Sequence, residues 1–394
     1  MLARILVLFM LVTMVFGEFE VIKIMGPLSE RTLERLWPVF SNGAISLNEH
    51  ELVIPDGTQL YLQKRFPPFD QTTVQLKRHP KEHFTIYETS VTKSAFAYTV
   101  LASDGRFYLF KKNRRNGDLY GPVPKHGLAD RMILLPDDRL IASGLYRPRY
   151  TTFLDLYDDN TQRTQTQKSK DMFLQLYETD KAFSLAIYDS KLTLIDSGNV
   201  IDRIGENAQW FERLYLNHTF DITQKHTIYL IDSDKGYVVE EYSALNVFVG
   251  EFKVANTKFK NIPENINKDI LNELRKTPKS YSVPYALYIK DEYIITSFFQ
   301  SPAWREPIEP PYYYDISSLG GTLVDSGEIC YPILCEDEGN KVFLLVTIDG
   351  GWFGQDNHFL VGVTIQDILE NRVSKVTIDE SVRIFQKELA GNAD

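Results

Sequence analysis

The sequence predicts an all-β fold of the β-propeller class, built from four-stranded antiparallel sheets. Three observations support this prediction. Strand-like segments alternate with short turns that contain Asp or Gly along most of the chain. Aromatic residues, which favour pleated and half-buried surfaces, make up 13% of the 394 residues. The hairpins also recur with a mean period of about 50 residues, which is typical of a propeller blade.

The clearest repeat unit extends from Asp130 to Asp159. Apolar residues alternate up to an Asp-Asp turn, a second strand follows over Arg139 to Tyr146, and Thr151 to Tyr157 supplies a third. Asp suits such turns because it hydrogen-bonds to its own backbone, and Gly suits them because it accepts a positive φ. Seven hairpins of this kind have acidic turn residues at Glu49, Asp104, Asp137, Asp189, Asp232, Asp291 and Asp349.

The spacing of these turns sets the expected number of blades. Successive turns are 33 to 59 residues apart, and the step of 33 residues, between Asp104 and Asp137, is too short for a full blade and its connection. Either two hairpins share one blade or one blade is truncated. We therefore predict six or seven blades, with six favoured, in a single domain over residues 18–394.

A few segments depart from the hairpin pattern. Glu18 to Ile24 alternates like a short strand, and Leu28 to Leu36 could form one or two helical turns. Ile270, Leu271 and Leu274 have helical spacing, which predicts a helical insertion between blades near residues 262–276. A second, shorter helix is expected over Ile365 to Leu369.

The N-terminus has the composition of a secretory signal peptide. Arg4 precedes about twelve almost wholly apolar residues, and Val15 and Gly17 are small residues at the two positions that a signal peptidase reads. We predict a signal over residues 1–17 and export to a periplasm or the extracellular space. An uncleaved membrane anchor is the alternative, and no later segment approaches the length of a membrane span.

The net charge of −10 argues against general nucleic-acid binding, which needs a clustered positive surface. The densest basic run, formed by Lys111, Lys112, Arg114 and Arg115, is interpreted as a solvated hairpin end before Asn116 and Gly117. We expect the protein to be a monomer.

The two cysteines, Cys330 and Cys335, leave two alternatives open. On one extended strand they would be roughly 16 Å apart, which is too far for a disulfide. Pro332 could break that strand and bring them together. Two buried thiols are favoured over a disulfide, and a zinc site lacks the further ligands that it would need.

The hairpin pattern, the segments Leu134 to Tyr146 and Pro284 to Phe299, and the predicted signal together resemble exported bacterial six-bladed propellers of the TolB-like and NHL-like kind. The resemblance extends from about Trp37 to the end of the chain. It implies the propeller fold and an exported protein, and most members of this group have no characterised function. Unlike the lipoproteins of that group, this sequence has no cysteine after the signal.

No catalytic motif stands out. Two Asp-Ser-Gly sequences, at Asp196 to Gly198 and Asp325 to Gly327, lack the flanking glycine of a nucleophile elbow and are interpreted as ordinary turns. Lactonase-like propellers hold a central calcium with oxygen ligands from several blades. Asp232 and Asp234 are weak candidates for such a site, so a calcium-dependent lactonase or esterase is the alternative function.

Two long loops rich in aromatic residues predict a binding surface. Rigid aromatic side chains beside Arg and amide groups are suited to a protein, peptide or glycan partner. The alternative is that the aromatic residues pack between blades. The first prediction is therefore a non-catalytic binding propeller that uses loops of one face and needs no cofactor. The candidate ligand-binding residues are Trp304, Arg305, Tyr312, Tyr313, Trp352 and Arg147.

Overall fold

The structure is a computed structural model, and it describes residues 19–25, 45–74, 84–102, 107–124, 129–146, 182–201, 219–232, 236–243, 247–263, 268–302, 308, 310–348 and 356–391. Within these residues, 24 strands form six antiparallel sheets of four strands each. The six sheets are the blades of a β-propeller. The predicted fold class and the favoured number of blades are therefore confirmed.

The first three blades follow one another along the chain. Blade one contains β2 (Ser46–Leu47), β3 (Glu51–Asp56), β4 (Gln59–Lys64) and β5 (Gln71–Thr73). Blade two contains β6 (Phe84–Val91), β7 (Ala95–Ala102), β8 (Phe107–Asn113) and β9 (Leu119–Pro124). Blade three contains β10 (Ala129–Leu134), β11 (Leu140–Tyr146), β12 (Ala182–Tyr188) and β13 (Leu194–Ile201).

The last three blades complete the ring. Blade four contains β14 (Thr219–Ile222), β15 (Ile228–Asp232), β16 (Val238–Tyr242) and β17 (Phe248–Lys253). Blade five contains β18 (Ser282–Lys290), β19 (Tyr293–Gln300), β20 (Tyr312–Ser318) and β21 (Leu323–Ile329). Blade six contains β22 (Ile333–Glu336), β23 (Lys341–Ile348), β24 (Asn357–Thr364) and, as its outermost strand, β1 (Glu20–Lys23).

The ring closes through the N-terminal strand. The first strands of successive blades contact one another in order, and β22 contacts β2. β1 pairs with β24 in antiparallel register, with Glu20 opposite Gly362 and Lys23 opposite Phe359. Blade six is therefore built from both ends of the chain. The sequence predicted the strand near Glu18 to Ile24 but not its partner.

The antiparallel order divides the connections between two faces of the ring. We call the side with the first-to-second and third-to-fourth connections the turn face, and the side with the second-to-third and blade-to-blade connections the loop face. Connections on the turn face are two to six residues long, whereas those on the loop face range from two to 35 residues. Most of the chain that lies between strands is therefore attached at one face.

The described residues also contain three helices: α1 (Lys268–Lys276), α2 (Ile365–Leu369) and α3 (Lys375–Gly391). The first two confirm the predicted helices. The third was not predicted; it packs against β1 and β24, and the Phe385 ring contacts Phe69 and Phe359. In the part of the chain that the structure describes, no helix is long and apolar enough to cross a membrane.

The hairpins that share a blade are those of Asp137 and Asp189, which are 52 residues apart and not the 33 of the short step. Both turns belong to blade three, because residues 147–181 separate its second and third strands. The spacing of the turns did not identify the shared blade, because a blade has three connections between its strands and the seven turns do not all occupy the same one. The predicted strand over Thr151 to Tyr157 lies outside the described residues, and β12 is the third strand of this sheet.

Candidate functional site

An arginine of blade three crosses the centre of the ring. Arg131 lies on the innermost strand β10 and is 6% exposed. Its guanidinium donates to the carbonyl oxygens of Phe220 on blade four and of Leu287 on blade five, the latter at 3.0 Å. It also donates to Glu336 Oε1 on blade six at 2.9 Å. Since blade six lies opposite blade three in a ring of six, this side chain joins the two halves of the ring across the axis.

Two aromatic rings fix the position of this guanidinium. Its Cζ atom lies 4.9 Å from the centroid of Tyr288 and 5.7 Å from that of Phe220. The face of an aromatic ring attracts a cation electrostatically, and the attraction is strongest where water is excluded. The hydroxyl of Tyr288 in turn donates to the carbonyl oxygen of Leu334 on blade six, at 3.0 Å.

Three further charged groups surround Arg131, and the four together form the axial charge cluster. Lys290 Nζ lies 2.7 Å from Glu336 Oε2 and also donates to the carbonyl oxygen of Asp337. Asp221 accepts from the backbone N–H of Ile289 at 2.6 Å and lies 3.5 Å from Arg131. Burial raises the pKa of Asp221 to about 7; the charge of Glu336 adds to this rise, and Arg131 and Lys290 oppose it.

The axial charge cluster contains two cations and two carboxylates, so its formal charges balance. Burying such a group is costly unless each charge is paired, and here each carboxylate contacts at least one cation. The cluster can therefore hold blades three to six in register. Asp221 and Glu336 are already engaged by Arg131 and Lys290, which is not the arrangement of a carboxylate set open to calcium.

The calcium-dependent alternative gains no support from the residues that the structure describes. Among them, no three His, Cys, Asp or Glu side chains lie close enough to hold a metal ion. Asp232 ends β15, where its backbone pairs with Val238. Asp234 lies outside the described residues. Calcium binding stays a prediction.

A second buried cluster joins blade six to blade one, and we call its four residues the closure cluster: Glu20, Arg65, Asp337 and Lys341. Arg65 lies 2.5 Å from Glu20 and 2.9 Å from Asp337, and Lys341 lies 2.6 Å from Glu20. Burial alone would raise the pKa of Glu20, but hydrogen bonds from Arg65 and Lys341 outweigh it and lower that pKa. The carboxylate on the closing strand is thus held in its charged form.

Cationic side chains also join neighbouring blades on the turn face. Lys111 of blade two is 1% exposed and donates to the carbonyl oxygens of Asp138 and Ser190 of blade three, at 2.5 and 2.9 Å. Arg139 of blade three contacts His226 of blade four at 3.0 Å. The basic run near Asn116 does end a hairpin. Its interpretation as a solvated segment is wrong for Lys111, because backbone carbonyl oxygens take the place of water around the Lys111 ammonium.

The strand order places the predicted ligand-binding residues at the loop face. Tyr312 and Tyr313 begin β20, directly after the connection between the second and third strands of blade five. Trp304 and Arg305 belong to that connection, Trp352 to the matching connection of blade six and Arg147 to that of blade three; these four residues lie outside the described residues.

The two tyrosines differ in exposure. Tyr312 is 6% exposed and packs edge-on against Tyr285, with ring centroids 6.0 Å apart. Its side chain is therefore buried against a residue of its own blade. Tyr313 is half-buried and stacks on Phe298, with ring centroids 5.0 Å apart.

Polar groups surround Tyr313. Lys258 Nζ lies 5.9 Å from the ring centroid and 3.5 Å from Glu328, and both of these charged side chains are more than half exposed. Gln300 donates to the carbonyl oxygen of Lys258 at 2.8 Å, which connects blade five to the segment that leaves blade four. An aromatic ring beside an ammonium, a carboxylate and an amide can offer both stacking and hydrogen bonds to a polar ligand.

Sequence reasoning missed the axial charge cluster. Its signal was present, because Arg131 and Asp221 are charged residues within strands that also carry apolar residues, and Lys290 ends such a strand. A charge on an innermost strand must be paired, since that strand faces neither solvent nor lipid. Spacing along the sequence could not show the pairing, because the partners are 46 to 205 residues apart.

Both cysteines are free thiols. Cys330 follows the outermost strand of blade five, whereas Cys335 lies on the innermost strand of blade six. The chain between them crosses a blade boundary, so the two side chains belong to different sheets. Burial raises the pKa of Cys335. Cys330 is half-buried, so the favoured prediction of two buried thiols holds for Cys335 alone.

No protein-family model matches the chain, and neither does any curated protein. Solved structures do match. A protein assigned as TolB in Agrobacterium tumefaciens is 8% identical over 82% of this chain and 90% of its own, with a TM-score of 0.42. An oligogalacturonate lyase in complex with manganese is 10% identical over 80% of this chain and 87% of its own, with a TM-score of 0.43.

A luciferin-regenerating enzyme is also similar, with 10% identity over 89% of this chain and 93% of its own and a TM-score of 0.38. These similarities are too distant to assign a family or an activity. The propeller that the sequence resemblance implied is present, whereas bacterial origin and export stay predictions. What the architecture itself shows is that the chain is a six-bladed β-propeller of four-stranded blades.

Proposed function

We propose that this protein is a non-catalytic binding propeller that takes a protein, peptide or glycan ligand at its loop face. The observation that carries the proposal is the asymmetry of the connections. All six predicted ligand-binding residues belong to, or directly follow, connections of the loop face, although the sequence-based prediction used no knowledge of the strand order. Long connections on a rigid scaffold are where binding residues concentrate.

The arrangement of charges supports the same face. The axial charge cluster and the closure cluster use buried cations and carboxylates to join blades, and within the described residues their carboxylates are engaged by Arg or Lys. These groups hold the ring together. The exposed polar groups around Tyr313 are instead placed where a ligand can reach them.

The ligand chemistry follows from the side chains of that face. Tyr313, Trp304 and Trp352 would offer flat apolar surfaces, and Lys258, Arg305 and Arg147 would donate hydrogen bonds to carbonyl, hydroxyl or carboxylate oxygens. Such a set is suited to a sugar ring or to an aromatic-rich peptide segment. We further propose that the mature protein begins at Glu18, is exported and acts as a monomer.

The test is a binding screen of the mature chain on an array of defined glycans and an array of defined peptides. The double variant Trp304→Ala/Trp352→Ala should lose at least tenfold in affinity for every ligand that the wild type binds. Its melting temperature should stay within about 2 °C of wild type, as expected for surface substitutions.

The matched control is Phe66→Ala, which removes an aromatic side chain that is 53% exposed on the turn face. It should leave binding unchanged. The proposal is wrong if Phe66→Ala and the double variant weaken binding equally, or if the double variant retains wild-type affinity. A large loss of thermal stability in the double variant would instead assign both tryptophans to the core.

A further inference from the structure

The outermost strands of blades three, four and five share one exposed apolar feature. Each begins with an apolar residue followed by a β-branched one, and both are exposed to solvent. We call these six residues the rim patch: Leu194 and Ile195 on β13, Phe248 and Val249 on β17, and Leu323 and Val324 on β21. Their exposed fractions range from 37% to 58%.

A β-bulge sits at the same position in all three strands. Ile195, Val249 and Val324 are each the extra residue against the neighbouring strand, as the register shows: Asp196 pairs with Ile187 but Leu194 with Tyr188, and the other two blades repeat this step. A bulge re-aims the side chains around it. The predicted turns at Asp196 to Gly198 and Asp325 to Gly327 are therefore wrong, since these residues belong to bulged strands.

The remaining three blades protect their outer strands. β5 of blade one is only three residues long and polar, and β9 of blade two contains Pro122 and Pro124, which cannot donate a backbone hydrogen bond. β1 of blade six is packed against α3. Within the described residues, exposed apolar side chains on an outermost strand are therefore confined to three consecutive blades, which is unusual because sheet edges are normally blunted.

The charge around the rim patch indicates what it could bind. The three outermost strands carry one basic residue, Lys253, and four acidic residues, of which Glu328 already pairs with Lys258. The whole chain is also acidic, with a net charge of −10. Acidic groups next to exposed apolar side chains complement a partner that combines apolar and cationic side chains, and they disfavour an anionic lipid surface or a second copy of this chain.

We propose that the rim patch is a docking surface for an elongated segment of another protein whose apolar side chains alternate with lysine or arginine. Such a segment would follow the rim from blade three to blade five. It would contact one pair of rim-patch residues on each blade, and its cations would lie near the acidic residues of the three strands. The apolar rim-patch residues lie at the turn-face ends of these strands, away from the ligand proposed to bind at the loop face.

The test measures the affinity of two labelled fourteen-residue peptides for the mature chain by fluorescence anisotropy. One peptide contains only leucine and lysine, and the other only leucine and glutamate. The wild type should bind the lysine peptide, and the triple variant Ile195→Ser/Val249→Ser/Val324→Ser should bind it at least tenfold more weakly. The glutamate peptide should bind wild type at least tenfold more weakly than the lysine peptide does.

Two control variants isolate the patch. Val376→Ser changes an apolar residue on α3 that is 77% exposed, and it should leave lysine-peptide binding unchanged. Trp304→Ala/Trp352→Ala should also leave it unchanged, which separates this surface from the loop face. If the triple variant fails to fold, the single variant Val249→Ser replaces it, with a threefold loss expected.

Three outcomes would overturn the proposal. The first is equal binding of the lysine peptide by wild type and the triple variant. The second is binding of wild type, but not of the triple variant, to phosphatidylcholine vesicles without any peptide binding, which would assign the patch to a bilayer. The third is a dimer of wild type in sedimentation that the triple variant abolishes, which would assign it to a second copy of the chain.

Discussion

The turn face and the loop face differ in how they are built. Connections of two to six residues link the strands on the turn face, whereas those on the loop face reach 35 residues. Buried lysine and arginine side chains join neighbouring blades on the turn face, as Lys111 does between blades two and three and Lys290 between blades five and six. The difference teaches that ionic contacts at one face and at the axis join the blades, while the other face carries the long connections.

This division has a physical basis. Short turns bring the strand ends close together, so that a side chain from one blade can reach the backbone carbonyls of the next. Extra residues in a surface loop add little to the cost of closing it, because that cost grows only with the logarithm of loop length. Long insertions are therefore tolerated on the loop face as long as the turn face holds the blades in place.

The largest effect is expected from Arg131→Met. This change removes the cation that joins blades three to six; it leaves Asp221 buried beside an apolar side chain and Glu336 paired with Lys290 alone. Breaking a buried ion pair in this way costs about 3 to 5 kcal/mol of unfolding free energy. Urea denaturation measures it, with Arg139→Met as the control: Arg139 pairs with Asp137 but is partly exposed, and its loss should cost about 1 kcal/mol or less. Equal losses of unfolding free energy in the two variants would contradict the distinction between a buried and a partly exposed ion pair.

Arg65→Leu tests the closure of the ring. It leaves Glu20 and Asp337 without their shared guanidinium, and it should lower the unfolding free energy by about 3 kcal/mol. The neighbouring Lys64→Leu removes an exposed pair with Asp70 and should cost about 1 kcal/mol or less. Limited proteolysis should release the N-terminal strand β1 from Arg65→Leu first; cleavage elsewhere before that would argue against a role in closure.

The two adjacent tyrosines mark where the interior ends on the loop face. Tyr312→Ala should lower the unfolding free energy by about 3 kcal/mol, because it empties space beside Tyr285. Tyr313→Ala should cost about 1 kcal/mol, since its ring is only half-buried, and it should weaken ligand binding. Thermal and urea unfolding of both variants measure which loses more unfolding free energy. A larger loss for Tyr313→Ala would indicate that Tyr312, and not Tyr313, belongs to the binding surface.

The last effect is a change in the pH dependence of stability. The pKa of Asp221 rises from 3.8 in the unfolded chain to about 7 in the folded one, so the native state binds its proton more tightly. Stability must therefore fall as pH rises from about 4 to 7. Asp221→Asn removes this contribution, so its unfolding free energy should rise relative to that of wild type over that range. Parallel stability profiles for the two proteins would show that Asp221 ionises normally.

The sequence was sufficient for the blades because hairpins are local. Alternating apolar residues and Asp- or Gly-containing turns specify each pair of strands without reference to the rest of the chain, and Pro284 to Phe299 is a clear example. Closure is not local: Glu20 contacts Lys341, 321 residues away, and no spacing rule connects them. The contacts of Arg131 could not be predicted for the same reason, since Glu336 is 205 residues away from it.

Other misses had signals that spacing could have revealed. Ile378, Val382 and Phe385 recur at three- and four-residue steps, which is the pattern of the amphipathic helix α3. The Asp-Ser-Gly sequences read as turns because Asp and Gly favour turns, yet each lies on a bulged edge strand, where Asp and Gly are also tolerated. The loop-face residues were singled out by composition alone, and the strand order then placed their segments on one side.

The most direct test of the central claim, that charge across the axis joins opposite blades of the ring, is a double-mutant cycle between Arg131→Met and Glu336→Gln. Unfolding free energies of the wild type, both single variants and the double variant give the coupling energy. The account predicts at least about 1.5 kcal/mol, as expected for contacting charges in one network. A coupling within about 0.3 kcal/mol of zero would contradict it, because opposite blades would then be stabilised independently.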